Sequence, residues 1–295
     1  MIRILAATND GVFEWPDESR SAQGMEVNSL ALTDRLSYAV ANSATVLHND
    51  GEGWHEIASV RDVRANCLIP ARSGLFVGTS DAHLLKEEGG RFVTLDAFES
   101  APGRAEWFTP WGGPPDVRSL AEDDRGVLYC NVHVGGILRS DDGGATWTPT
   151  IEIRSDVHEV TASAETVIAA TAWGLASSAD KGGSWEFDDG GLHATYARAV
   201  VVAGDVVVMS VSSGPRGGAS TLYRRPLDAP GSFVRCGGEL PEWFSDNINT
   251  GCLAASDETV AFGTEDGDLF LSDDSGGTFA RVADGLAPVR WVELF

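Results

Sequence analysis

One short string recurs in this chain and narrows its possible folds more than any other feature. It reads Ser140-Asp141-Asp142-Gly143-Gly144-Ala145-Thr146-Trp147, then Ser178-Ala179-Asp180-Lys181-Gly182-Gly183-Ser184-Trp185, then Ser272-Asp273-Asp274-Ser275-Gly276-Gly277-Thr278-Phe279. The shared pattern, S-x-D-x-G-x-[ST]-[WF], suits a hairpin turn. A carboxylate can accept backbone N–H bonds there, glycine supplies positive φ, and the closing aromatic packs between sheets. Weaker copies end at Trp54, Phe92 and Phe233, with Asn49, Glu87 and Asp228 in the place of the aspartate.

A second motif sets the phase. It begins at Val27, Val63, Val117, Val157, Ala197, Ile248 and Val289, at intervals of 36, 54, 40, 40, 51 and 41 residues. Such intervals are the size of one four-stranded propeller blade. The second motif is the first strand of each unit, an apolar second strand such as Val167-Ile168-Ala169 follows, and the aspartate turn joins the third strand to the fourth. The chain starts in a second strand (Ile4-Leu5-Ala6-Ala7) and finishes in a first strand, so the two ends together make one more blade. The expected fold is therefore all-β: a seven-bladed β-propeller of four-stranded antiparallel blades, closed by the C-terminal strand joining the N-terminal blade. Closure pairs the otherwise exposed inner edge of the N-terminal blade. The expected blades are 289–295 plus 1–26, 27–62, 63–116, 117–156, 157–196, 197–247 and 248–288 of one domain, 1–295.

On these motifs the whole chain resembles the Asp-box (BNR-repeat) β-propellers, a WD40/YVTN/BNR-like architecture shared with the sialidase superfamily. The resemblance implies a fold and not a chemistry, because the box occurs in glycosidases, receptors and assembly factors alike. Asp142, Asp180 and Asp274 are thus expected to be turn residues.

Function is sought at the end of the ring where first strands begin. The second residue of each first-strand motif is expected there: Asn28, Arg64, Arg118, His158, Arg198, Asn249 and Arg290. Four arginines concentrated in a chain of net charge −23 suggest a small anionic ligand, since the guanidinium fork matches carboxylate or phosphate oxygens. The competing reading has them tie blades together through neighbouring acids such as Asp116 and Asp156. His133, His158 and His193 are expected near the same end, as a set of ligands for one divalent transition metal (Zn, Fe, Ni or Mn). Without a metal, one of them could act as a base near neutral pH. Glu159 and Tyr196 are the candidate proton-transfer residues, and Trp173 and Trp243 the candidate stacking residues. Two insertions, 96–116 with Trp107, Phe108 and Trp111, and 236–247 with Trp243 and Phe244, would wall the site. The loop 212–218 is a candidate lid.

Three functions follow. The first is a metal-assisted hydrolase or lyase acting on a small anionic molecule. The second is a non-catalytic assembly or docking factor for an acidic peptide. The third is a sialidase-like glycoside hydrolase, with Arg64, Arg118, Arg198, Tyr196, Glu159 and Glu242 in the needed roles; seven blades instead of six count against it. The strong acidity makes nucleic acid and anionic membrane poor partners. No secretory leader is visible, and Cys67, Cys130, Cys236 and Cys252 have no paired spacing, so a cytoplasmic location with reduced thiols is expected.

Overall fold

The computed structural model describes residues 2–110, 112–163, 166–228 and 231–295; Trp111 lies outside them. The fold is a seven-bladed β-propeller, with seven antiparallel sheets of four strands, one of which carries a short fifth. Ring closure is seen directly in the hydrogen bonds. Val289–Leu294 pairs antiparallel with Ile4–Thr8, with Ala6 opposite Val292, and Arg3 and Phe295 exchange backbone bonds beyond the ladder. The terminal strand thus supplies the innermost strand that the N-terminal blade lacks.

By compactness the chain divides into two units. One contains residues up to Val27, Ala170–Leu175 and Phe187–Phe295, and the other Asn28–Ala169 and Ala176–Glu186. Each holds its own apolar cores. In the first, Phe244, Phe262, Phe270 and Phe279 stack face to face and edge to face, with Phe262 and Phe270 parallel at 4.8 Å. In the second, Tyr129, Ile137, Val157, Val160 and Val167 form one core, while Val40, Val46, Leu68 and Val77 form another. Such interdigitated layers are the main source of stability in a domain of this size.

The aspartate turns do what their composition implies. Asp142 accepts hydrogen bonds from Ser140 Oγ, the Thr146 backbone N–H and Thr146 Oγ1 at 2.7–2.9 Å, and Asp180 and Asp274 repeat all three contacts. These bonds hold all three carboxyls below the usual carboxylate range; at Asp274 burial, the largest influence, pushes the other way and is outweighed. In the weaker copies Asn49 still accepts from Gly51 and Gly53, and Glu87 from Gly90. The four cysteines are buried and form no disulfide among the described residues; burial pushes Cys67 and Cys236 up to about 12 and Cys130 well above its ordinary value. No helix among the described residues is long and apolar enough to cross a membrane.

Candidate functional site

In the second unit the end of one strand, a single helical turn and the start of another strand bring three donor groups together. His133 follows the strand Leu128–Val132 in a tight turn fixed by Gly135 N–H to Val132 O, and its own N–H donates to Asp116 O at 2.9 Å. Asp156 closes the 3-10 turn Ile153–Ser155 with φ +49°, a left-handed conformation that aspartate tolerates better than most residues. His158 is the second residue of the strand Val157–Ser163. His133 and His158 are 2% and 0% exposed, with ring centroids 5.6 Å apart.

One carboxylate oxygen, Asp156 Oδ1, stands 2.9 Å from His133 Nε2 and 3.6 Å from His158 Nε2. All three potential ligand atoms lie within 4.8 Å of one another. Burial would raise the Asp156 carboxyl. The hydrogen bond from His133 and the charges of His158, His133 and Arg118 outweigh it and hold Asp156 below the usual carboxylate range. Two imidazoles and a carboxylate are a donor set that suits zinc or a ferrous ion, with coordination positions left for a ligand. Glu159, beside His158, is 8% exposed.

His193 has different company. In the first unit its Nδ1 lies 3.0 Å from Tyr223 Oη, its ring stacks on Tyr223 and tilts against Trp243 at 4.7 Å, and Arg235 sits 4.3 Å over the other ring system of that stack, Trp243. Burial lowers its pKa, helped by the Arg235 charge and opposed by a backbone hydrogen bond at Ala219. The donor that stands with His133 and His158 is Asp156, which sequence reasoning had considered only as a salt-bridge acceptor. Its signal was its place directly before the first-strand motif, the same place as Asp116.

The other candidate residues divide by their contacts. Arg290 binds Asn9 Oδ1 at 2.6 Å and Glu265 at 2.5 Å, and Arg198 donates to Asn249 Oδ1 and Pro215 O at 3.2 Å while lying over Tyr196. Both link neighbouring loops. Asn28 accepts from Ser43 N–H and Oγ, and Arg64 is exposed, its backbone N–H on Ser80 Oγ. Arg118 is half-buried near Asp156. Trp173 is 48% exposed and packs on Phe187 at 5.6 Å. In the 96–116 insertion Phe98 is fully buried and holds Trp107 and Trp147, so these aromatics cap a core. The loop 212–218 is tied down by Gly218 N–H to Ser245 O and by Asn247 Nδ2 to the Gly214 and Pro215 carbonyls.

No protein-family profile matches the chain. A search of curated proteins finds no match either. Among solved structures the chain is similar to YCF48 bound to D1 peptide, at 16% identity over 95% of this chain and 84% of that one, with a TM-score of 0.60. It is also similar to the RRP9 WD40 repeats, at 14% identity, 92% and 84% coverage and a TM-score of 0.67. A third similar structure is the GH74 enzyme of Niastella koreensis, at 15% identity and a TM-score of 0.60; the match covers 86% of this chain and 45% of that one. At these identities the likeness is one of fold.

Proposed function

We propose that this propeller, of the Asp-box repeat type, holds one divalent transition metal on His133, Asp156 and His158 and binds a small anionic molecule beside it. The observation that carries the reading is the sharing of one Asp156 oxygen between two buried imidazoles, with all three donors within 4.8 Å. A metal in such a site supplies Lewis-acid chemistry to a bound water or a substrate oxygen, which suits hydrolysis or elimination. Arg118 contributes a fixed positive charge at the same place and would orient the anion. Glu159, which follows His158 in the strand, is the carboxylate proposed to assist proton transfer. Four buried cysteines with no disulfide among the described residues support a cytoplasmic setting.

Elemental analysis of untagged protein purified without chelator tests this, with His158→Ala alongside. About one equivalent of zinc, iron, nickel or manganese, lost in the variant, is the expected result. Metal-free protein that takes up none of the four on titration would overturn the reading. A second reading, a non-catalytic docking factor for an acidic peptide held at Arg64 and Arg118, is supported by the similarity to YCF48 with its bound peptide. It predicts that peptide binding survives removal of any metal and falls in Arg64→Glu and Arg118→Glu.

A further inference from the structure

The outer strands of the blades differ in length, and the difference has a consequence for binding. Five of them are two or three residues long: Ser19–Ser21, Phe92–Thr94, Thr148–Pro149, Glu186–Asp188 and Val234–Arg235. Two have six residues, Trp54–Ser59 and Thr278–Ala283. A short outer strand offers little to pair with, whereas a long one presents a row of outward N–H and C=O groups that folded proteins cover or disrupt.

The chain covers one of its two long outer strands itself. Gly237–Gly238 pairs in parallel with Thr278–Ala283 as a fifth strand, Gly237 N–H donates to Gly277 O, and Glu239 N–H donates to Phe279 O at 2.7 Å. The Glu239 carboxylate then accepts the Arg281 backbone N–H at 2.8 Å. Gly238 makes the approach possible, with φ +92° and a position where a Cβ would come within 2.2 Å of Phe279 O. The molecule thus shows what fits such an edge: an extended segment with little side-chain bulk at the contact and a carboxylate following it.

The other long strand, Trp54–Ser59, pairs on one side only among the described strands, with Thr45–Asn49, and a register shift leaves Ile57 as an extra residue. Its residues 56–59 line a cavity of about 730 Å³ together with residues 60–63, His83, Leu85, 90–92 and Thr94. Ile57, Val60, Leu85 and Phe92 give the cavity an apolar floor. Arg61 and Arg91 also line it, both exposed, and neither guanidinium pairs with an acceptor among the described residues. The lining carboxylates are Asp62 and Glu56, of which Glu56 already accepts the Ser59 hydroxyl. In a chain with 44 acidic and 21 basic residues this groove is locally balanced, and its two guanidiniums are available.

We propose that the groove beside Trp54–Ser59 binds an extended peptide of a partner protein by strand addition, with apolar side chains on Ile57 and Phe92 and acidic side chains on Arg61 and Arg91. Main-chain pairing supplies affinity in this mode and the side-chain contacts supply selectivity. None of the metal donors lines the groove, and of the strand-start arginines Arg64 follows directly on its Val63 without lining it, so the proposal goes beyond both readings given above.

The test uses the full chain. Random dodecapeptides displayed on phage are selected on the immobilised protein, and the leading peptide is synthesised. The expected peptide is rich in Asp or Glu and apolar residues. It slows backbone hydrogen exchange in fragments covering 54–63, and its Kd rises at least tenfold in Arg61→Glu/Arg91→Glu. Both arginines are exposed, so the variant keeps its fold; an unchanged thermal midpoint checks this. Any of the following overturns the proposal: no peptide is enriched, protection falls outside 54–63 and 90–94, or the double variant binds as tightly as the parent. So does loss of binding in Arg64→Glu/Arg118→Glu alone, which would move the peptide to the strand starts. A concentration-dependent dimer in sedimentation, dissolved by the Arg61/Arg91 variant, would make a second copy of this chain the occupant and equally overturn it.

Discussion

Glu293 stands in the strand that closes the ring, and its carboxyl is poorly placed to carry charge. Burial raises its pKa from 4.5 to about 7, against the opposing effect of the Trp291 Nε1–H that donates to its Oε1 at 2.9 Å. Below pH 4.5 the carboxyl is protonated in both folded and unfolded chains. Between 4.5 and about 7 the unfolded chain loses the proton while the folded one keeps it, so stability falls as pH rises through that window and stays lower above it. At ~1.36 kcal/mol per tenfold, the full interval corresponds to about 3 kcal/mol. Because Glu293 as a residue keeps partial exposure, solvent screening reduces this to about 1–2 kcal/mol. Glu293→Gln retains an oxygen to accept the Trp291 N–H and removes the ionisation. Urea unfolding of parent and variant at pH 4 and pH 8 reads the effect. At pH 8 the variant is expected to be more stable by about 1–2 kcal/mol. At pH 4 the two should agree within ~0.5 kcal/mol, the usual scatter of a surface substitution. A gap of equal size at both pH values, or a variant less stable at pH 8, would refute the argument, since either would mean that the charge costs nothing where it sits.

Other outcomes follow from the packing and the turns. Phe262→Ala opens a cavity among Phe244, Phe270 and Phe279 and is expected to lower stability by about 3–5 kcal/mol in urea unfolding. Gly267→Ala places a Cβ within 2.0 Å of Leu286 O at φ +84°, and should cost more than about 1 kcal/mol and lower the thermal midpoint. Asp180→Ala removes three hydrogen bonds from one turn and should lower the midpoint, with Asp180→Asn recovering part of the loss. If His133, Asp156 and His158 hold zinc, free zinc at a hundredfold excess over its Kd should stabilise the parent by about 2.7 kcal/mol and leave Asp156→Ala unchanged.

What the sequence disclosed and what it concealed divide along the distance between interacting residues. The aspartate turns are local: Ser140, Asp142 and Thr146 bond within a few positions of one another, so composition and spacing were enough to place them. Strand periodicity is local too, and the closing strand could be foreseen because its motif repeats six earlier ones. The candidate site depends on longer links. His133 and Asp156 meet because Asp156 takes a left-handed conformation at the end of a 3-10 turn; the repeat marks its position, directly before the motif as at Asp116, but not that conformation. Arg290 meets Asn9 across nearly the whole chain, so whether that arginine faces a ligand or a neighbouring loop was undecidable from position alone. The outer strands carry the argument one step further. The insertion 236–247 reads in the sequence as a wall carrying Trp243 and Phe244, yet its first residues lie along Thr278–Ala283, because Gly238 lacks the Cβ that would strike Phe279 O. Where the insertion follows a long outer strand's neighbour it seals that edge. The equivalent connection before the blade of Trp54–Ser59 is only residues 22–26, between Ser19–Ser21 and Val27–Leu32, and among the described strands none pairs with the other side of Trp54–Ser59, the edge to which the proposed peptide would add.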